Sequence, residues 1–192
     1  MSISPALAMN LPVPASSSTA ITLEAMHAHG PAAPGQYLTF TLQGESYGVD
    51  ILGVREIIEY ARPTTIPMMP GFVHGVINLR GHVVPVIDLA QRFGRPATEL
   101  RARTCIVIVE VNTGEGAQAL GVLVDAVNAV LDLDASQIEP APAFGTGLRR
   151  EFIQGMARMD TGFIILLDIP RVLSTEDLAA LAHVGEATTA TA

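Results

Sequence analysis

Gly75-Val76-Ile77-Asn78-Leu79-Arg80-Gly81-His82-Val83-Val84-Pro85-Val86-Ile87-Asp88-Leu89 is the stretch whose reading decides the fold. Two runs rich in β-branched residues flank a polar turn, and Asn78 and Gly81 are residues that turns favour, so the segment reads as strand, turn, strand. Arg80 sits in the bend. Asp88 ends the second strand and is placed to cap the short helix expected from Leu89 to Phe93, which Gly94 and Pro96 terminate.

Upstream, Tyr37, Leu38, Phe40 and Leu42 begin a β-type pattern at Gln36, Gly44 supplies a turn, and Tyr47-Gly48-Val49-Asp50-Ile51 returns. Val54 to Ile58 reads as a third strand or a helical turn. Pro63, Pro67 and Pro70 forbid regular structure before Gly71, and Phe72 to Gly75 is expected to be one turn of helix. Downstream, Thr104 to Val111 is too short and too β-branched for a helix and reads as a buried strand. Ala119 to Val124, Val127 to Leu133 and Phe163 to Ile169 follow as further apolar segments, with a loop at Pro140, Pro142, Gly145 and Gly147. Ser174 to His183 reads as a terminal helix, with Ser174 as its N-cap and Asp177 completing a weak capping box.

The chain repeats itself. Tyr47-Gly48-Val49 with Ile51, Val54, Ile57 and Ile58 recurs as Leu120-Gly121-Val122 with Val124, Val127, Val130 and Leu131, at the offset of 73 residues that separates Gly48 from Gly121. The opening stretch recurs too, with Phe72, Gly75, Leu79, Val84, Val86, Ile87 and Asp88 matched by Phe152, Gly155, Met159, Ile164, Leu166, Leu167 and Asp168, at an offset of 80. Each unit supplies about five short strands in roughly 60 to 70 residues, which suits a small closed barrel. Two such barrels packed side by side bury a common seam and leave a groove. Positions shared by the copies belong to the scaffold. Asn78, Arg80 and Gly81 become Arg158, Asp160 and Thr161 in the second copy, so the first-copy turn needs a separate reason.

Composition excludes several function classes. Of 192 residues, 49% are hydrophobic and 16% charged, enough apolar material for a sizeable core. The formal charge is −8 and all 11 basic residues are arginine, with no basic stripe of the kind a nucleic acid or an anionic membrane selects. Arg92, Arg95, Arg101 and Arg103 read as a solvated connector. A lone Cys105 excludes an internal disulfide and fits a reducing compartment. Residues 1–35 are expected to form a flexible tail without a signal peptide, and residues 181–192 a C-terminal tail.

Candidates for chemistry are few. His74 and His82 lie near Asp88 but lack the spacing of a metal or acid–base site, so neither metal nor cofactor is expected. Cys105 begins a buried strand, where a thiol acts as apolar filler rather than as a nucleophile. A small enzyme using Cys105, His74 or His82 is the remote alternative. Arg80 has two compatible readings: pairing with a neighbouring carboxylate such as Glu56, and presentation to a protein partner, where Arg is enriched among energetic anchors.

At Asn78-Leu79-Arg80-Gly81 followed by Val84 to Leu89, at Tyr47 to Ile51 with Val54-Arg55-Glu56-Ile57, at Gly121 to Asp125 and at Ile138-Glu139-Pro140-Ala141-Pro142, the chain resembles the CheW family of chemotaxis coupling proteins. The likeness spans residues 36–180. It implies a mainly all-β fold of two tandem SH3-like five-stranded β-barrels on a common core, roughly 36–95 and 100–172, with short helices and a C-terminal helix. The resemblance also implies a non-catalytic, cytoplasmic adaptor without cofactor. Such an adaptor joins the regulatory domain of a histidine kinase to chemoreceptor cytoplasmic tips in membrane-associated arrays, and enters rings with other CheW-like domains. It neither binds nucleic acid nor inserts into the membrane. An adaptor of a non-flagellar chemosensory pathway, such as pilus motility, is the close alternative. By position, Val54, Glu56, Arg80, Cys105 and Ile106 fall at the receptor groove, and Phe144, Glu139, Gly121 and Val122 at the kinase contact. Glu139 stands beside Phe144 where the best-known members of the family carry a basic residue, which alters the polarity of that contact.

Overall fold

The computed structural model describes residues 31–113, 116–142, 147–160, 162–174, and 176, 177, 179 and 181. Among the described residues the elements follow in the order β1 (Gly35–Leu42), β2 (Glu45–Asp50), β3 (Val54–Glu59), β4 (Val73–Leu79), β5 (His82–Asp88), α1 (Leu89–Arg92), β6 (Cys105–Thr113), β7 (Gly116–Val124), β8 (Ala126–Leu133), β9 (Ile138–Glu139), β10 (Ile153–Met159), β11 (Gly162–Leu167) and α2 (Ile169–Val172). They form a six-stranded sheet in the order β8-β1-β2-β11-β10-β9 and a five-stranded sheet in the order β3-β6-β7-β5-β4.

These sheets do not follow the halves of the chain. Each takes the first hairpin of one repeat and the later strands of the other: β1 and β2 join β8 to β11, while β6 and β7 join β3 to β5. The boundaries 36–95 and 100–172 therefore divide the sequence repeats but not the barrels. The exchange is made by antiparallel pairings, β1 with β8 and β3 with β6, and by two parallel crossings, β2 with β11 (Tyr47 opposite Ile165, Gly48 opposite Leu166) and β5 with β7 (Val86 opposite Gly121). Both crossings use the repeat's glycine for a physical reason. A Cβ on Gly48 would lie 2.9 Å from Leu166 Cδ2, and one on Gly121 would lie 2.9 Å from Ile106 Cγ2 and 3.0 Å from Val86 Cγ2.

The burial pattern explains why several strands read as unbroken apolar runs rather than as alternations. In β6, Val107, Val109 and Val111 enter a large shared core, whereas Ile106 and Ile108 enter the interior of the five-stranded sheet with Ile77, Val84, Val86 and Leu123. In β11, Ile165 and Leu167 face the shared core, while Ile164 and Leu166 join Tyr37, Leu133 and Ala157 inside the six-stranded sheet. Two private interiors and one common seam are what two packed barrels require. The five-stranded sheet curls until its edges meet: Tyr60, just past β3, and His74 on β4 approach to 3.1 Å between the hydroxyl and Nε2.

Local chemistry sets the corners. Asp88 Oδ1 accepts from the Ala90 amide at 2.9 Å and from the Thr98 hydroxyl at 2.8 Å, while Oδ2 accepts from the Thr98 amide at 2.8 Å, so this buried carboxylate caps α1 and holds the connector to β6. Asp168 repeats the role at α2, accepting from the Arg171 amide. The expected capping box is present, the Ser174 amide donating to Asp177 Oδ2 at 2.9 Å and the Asp177 amide to Ser174 Oγ at 3.1 Å.

Two expectations are corrected. The helical turn expected at Phe72 to Gly75 is the start of β4, because Val73 pairs with Ile87 and the Val76 amide and carbonyl exchange hydrogen bonds with Thr64. The tail expected over residues 1–35 lies outside the described residues up to residue 30, but its last part is anchored: the Ala32 amide donates to the Gln154 carbonyl, and Tyr37 donates its hydroxyl proton to the Ala33 carbonyl at 2.7 Å. Val54 to Ile58, for which the sequence allows strand or helical turn, is strand β3.

Candidate functional site

The turn between β4 and β5 is a two-residue loop joining the paired residues Leu79 and His82. Arg80 and Gly81 have φ of 53° and 88°, as a type I′ turn requires. Asn78 accepts the Gly81 amide on its side-chain oxygen at 2.8 Å and so sets the turn. Glycine, Asn or Asp is the ordinary occupant of the first left-handed position, and a non-glycine residue there costs on the order of 1 kcal/mol. Arg80 nevertheless holds it, with its side chain 79% exposed. Its Nη2 reaches Glu56 Oε2 at 2.9 Å, the pairing the sequence suggested.

Glu56 and Val54 are half-buried on β3 but, across the bulge between them, lie on opposite faces: Val54 pairs with Val109 and packs on the shared core, whereas Glu56 pairs with Ile108 and holds Arg80. Between Arg55 and Glu59 the same strand exposes Ile57, at 45%. Arg55 is itself engaged, its Nε 2.9 Å from Glu110 Oε2 on β6. An exposed isoleucine next to two ion-paired residues, Arg55 and Glu56, sets apolar surface beside charge on this edge, a combination that protein contacts use. The repeat periodicity points Ile57 to the scaffold; the signal of its exposed position is that it shares the outward phase of β3 with Arg55 and Glu59.

Cys105 and Ile106 behave differently from their neighbours in the expected groove. Val54 pairs with Val109 and Glu59 with Cys105, so Val54 and Cys105 occupy opposite ends of the β3–β6 ladder. Cys105 lies partly buried at the seam, beside the Val127 backbone of β8. Burial pushes its thiol up, and the hydrogen bond with Val127 and the charge of Arg103 offset this only in part. Such a thiol is a poor nucleophile at neutral pH. Ile106 is 0% exposed in the interior of the five-stranded sheet, so its side chain is scaffold and not a contact.

The second expected set is likewise divided. Glu139 lies half-buried on β9, opposite Met156, with Arg158 Nη1 3.5 Å from its Oε1. The acid that departs from the resemblance thus has its compensating cation on the adjacent strand. Gly121 and Val122 do not reach the surface: Gly121 fills the tight β5–β7 crossing and Val122 is 2% exposed in the shared core. Phe144 lies outside the described residues. A cavity of about 630 Å³ opens beside β9, lined by Pro140, Ala141, Arg150, Glu151, Asp168 and Arg171 among others.

Neither histidine of the central hairpin is assembled for catalysis. His74 faces Tyr60, and His82 is exposed at the strand end. Among the described residues no group of three or more His, Cys, Asp or Glu side chains converges as a metal site, and no helix is long and apolar enough to cross a membrane.

Residues 36–177 match the CheW-like domain family. The chain belongs to the CheW family. It is 38% identical over 151 residues to the chemotaxis protein CheW of Klebsiella aerogenes, covering 79% of this chain and 89% of that one. The CheW of Treponema pallidum is 33% identical, over 77% of this chain and 87% of its own. Among solved structures, the scaffolding protein TtCheW of Thermoanaerobacter tengcongensis superposes with a TM-score of 0.67 at 36% identity, covering 75% of this chain and 95% of that one. The mainly all-β architecture and the family expected from the sequence are therefore established, and a CheW-family chain is a chemotaxis adaptor with a scaffolding rather than a catalytic role.

Proposed function

We propose that this chain couples a chemotaxis histidine kinase to the cytoplasmic tips of chemoreceptors, working in the cytoplasm at membrane-associated receptor arrays and performing no phosphoryl transfer itself. The observation that carries the reading is Arg80: a cation in a left-handed turn position, 79% exposed, on a corner where the core needs no side chain. Such a residue is explained by what it meets. The receptor tip contacts the Arg80 turn with Val54, Glu56 and Ile57 of β3, and reaches the seam at Cys105. The kinase regulatory domain contacts the other sheet at β9, around Glu139 and on to Phe144. Each contact is of modest strength, about 8 kcal/mol for a micromolar complex, and gains through multivalent arrangement in an array, including rings with other CheW-like domains.

The test is a pair of titrations, with a purified receptor-tip fragment and with the purified kinase regulatory domain, on wild type and Arg80→Ala. The expected result is binding of both by wild type, and loss in the variant of about tenfold in receptor affinity, the cost of one interface arginine, with kinase affinity retained. A variant that binds the receptor fragment as tightly as wild type while melting much earlier would assign Arg80 to the scaffold and remove the support for this reading.

A further inference from the structure

Arg92 stands where the two copies of the repeat meet. The offset of 80 that relates Phe72 to Phe152 also relates Arg92 to Val172. The guanidinium carbon lies 4.9 Å from the Phe72 ring centroid and 5.5 Å from that of Phe152. Its Nε donates to the Val172 carbonyl at 2.6 Å, and Nη2 donates to Asp177 Oδ2 at 3.1 Å. One side chain thus touches both members of an equivalent pair and the backbone of its own counterpart. That places it on the pseudo-twofold axis, and only the first copy supplies it.

Around Arg92 the joint is mainly aromatic and aliphatic, with the Arg149 guanidinium also over the Phe152 ring, 5.4 Å from its centroid. Phe93 packs on Phe152 and on Tyr47 at centroid distances of 6.1 and 6.0 Å, above Leu89, Ile169 and Leu173. Burial of apolar surface is non-directional, so it holds two bodies together without fixing how far one is turned over the other. A guanidinium is planar and directional, and this one is 17% exposed, bound through two nitrogens and stacked on two rings.

We propose that Arg92 is a positioning residue that sets the angle between the two sheets, and hence the placement of the Arg80 turn relative to Glu139 on β9. The functional half of this inference rests on the adaptor reading, in which those two places meet different partners. The angular half does not.

Residual dipolar couplings of backbone amides in the full chain separate the two. In wild type one alignment tensor fits both sheets. In Arg92→Met, which keeps the apolar stem and loses the fork, each sheet still fits internally but the two tensors diverge; Arg92→Lys lies between. Binary affinities for the receptor-tip fragment and the kinase regulatory domain stay within about twofold, as expected for distant sites. The yield of the ternary complex falls by about fivefold, the lower end of typical coupling. Should Arg92→Met fail to fold, Asp177→Asn removes one polar anchor and carries the same comparison. A single shared tensor in the folded variants overturns the proposal, as does an unchanged ternary yield. If wild type binds neither partner, the adaptor reading fails while diverging tensors still support the role of Arg92 in the joint.

Discussion

The parallel crossings predict an ordered response to a single added methyl group. Gly121→Ala places a Cβ 2.9 Å from Ile106 Cγ2, 3.0 Å from Val86 Cγ2 and 3.4 Å from the Pro85 carbonyl oxygen. Ile106 and Val86 are both 0% exposed and β-branched, so neither can swing aside without leaving its rotamer. Overpacking of this kind costs about 1–3 kcal/mol, and the upper part of that range applies because two pinned methyls are hit at once. Against it stands a gain of about 0.4–1 kcal/mol from the reduced freedom of the unfolded chain. The net loss, about 1–2.5 kcal/mol, corresponds to a fall in Tm of roughly 3–8 °C for a chain of this size. Gly48→Ala is the internal control. Its Cβ meets the flexible end of Leu166 at 2.9 Å, with Ile164 Cγ2 at 3.4 Å and the Leu38 carbonyl oxygen at 3.8 Å, so rotation of one leucine relieves the contact and Tm falls by about 3 °C or less. Thermal denaturation followed by circular dichroism measures both. Equal melting of Gly121→Ala and wild type, or a larger loss at Gly48, would refute the packing argument.

Three further outcomes are expected. Removing Arg80 and Glu56 singly and together should give a double-mutant coupling of about 0–1 kcal/mol in urea unfolding, as is usual for an exposed pair, and a coupling well beyond that would make the turn structural. Cys105 should react with iodoacetamide far more slowly than free cysteine at neutral pH, because burial raises its thiol, and rapid stoichiometric labelling of native protein would contradict its position at the seam. Tyr47, fully buried and donating its hydroxyl proton to Glu45 at 2.6 Å, has its ionisation pushed up, first by burial and then by that hydrogen bond. A raised folded-state pKa gives stability that is complete below the ordinary phenol range and is lost as pH rises through it and beyond. Absorbance titration should therefore show Tyr47 ionising only with alkaline unfolding, and a phenolate formed in the folded protein would be the contrary result.

Much of the fold is legible because its strands carry local signals: β-branched runs, a polar turn at Asn78 to Gly81, and paired aspartates at Asp88 and Asp168 that cap α1 and α2. The repeat is legible as well. Which strand pairs with which is not, because the exchange of the β1–β2 and β6–β7 hairpins between the copies depends on contacts far apart in the chain, and two glycines at the crossings look like any strand glycine. At the candidate site, the turn and the Arg80–Glu56 pair can be anticipated, since Arg80 breaks the equivalence of the copies. Position in a motif assigns Ile106, Gly121 and Val122 to surfaces, yet strands buried on both faces leave no outward side chain. Ile57 escapes notice for the converse reason, an apolar residue in an apolar pattern whose strand lies at a sheet edge.

The exchange of hairpins has a consequence for how the molecule comes into being. During synthesis β2 must wait for β11, and β5 for β7, so neither barrel is complete when the first half of the chain has left the ribosome. A nascent chain ending near Arg95 carries a hairpin with no sheet to join and a β4–β5 ladder without its neighbour. Cut within the connector between α1 and β6, the two pieces would be obligate partners rather than two domains, each a template for the other. Their recovery of structure on mixing, and failure to acquire it apart, is the behaviour of one cooperative unit written twice in the chain.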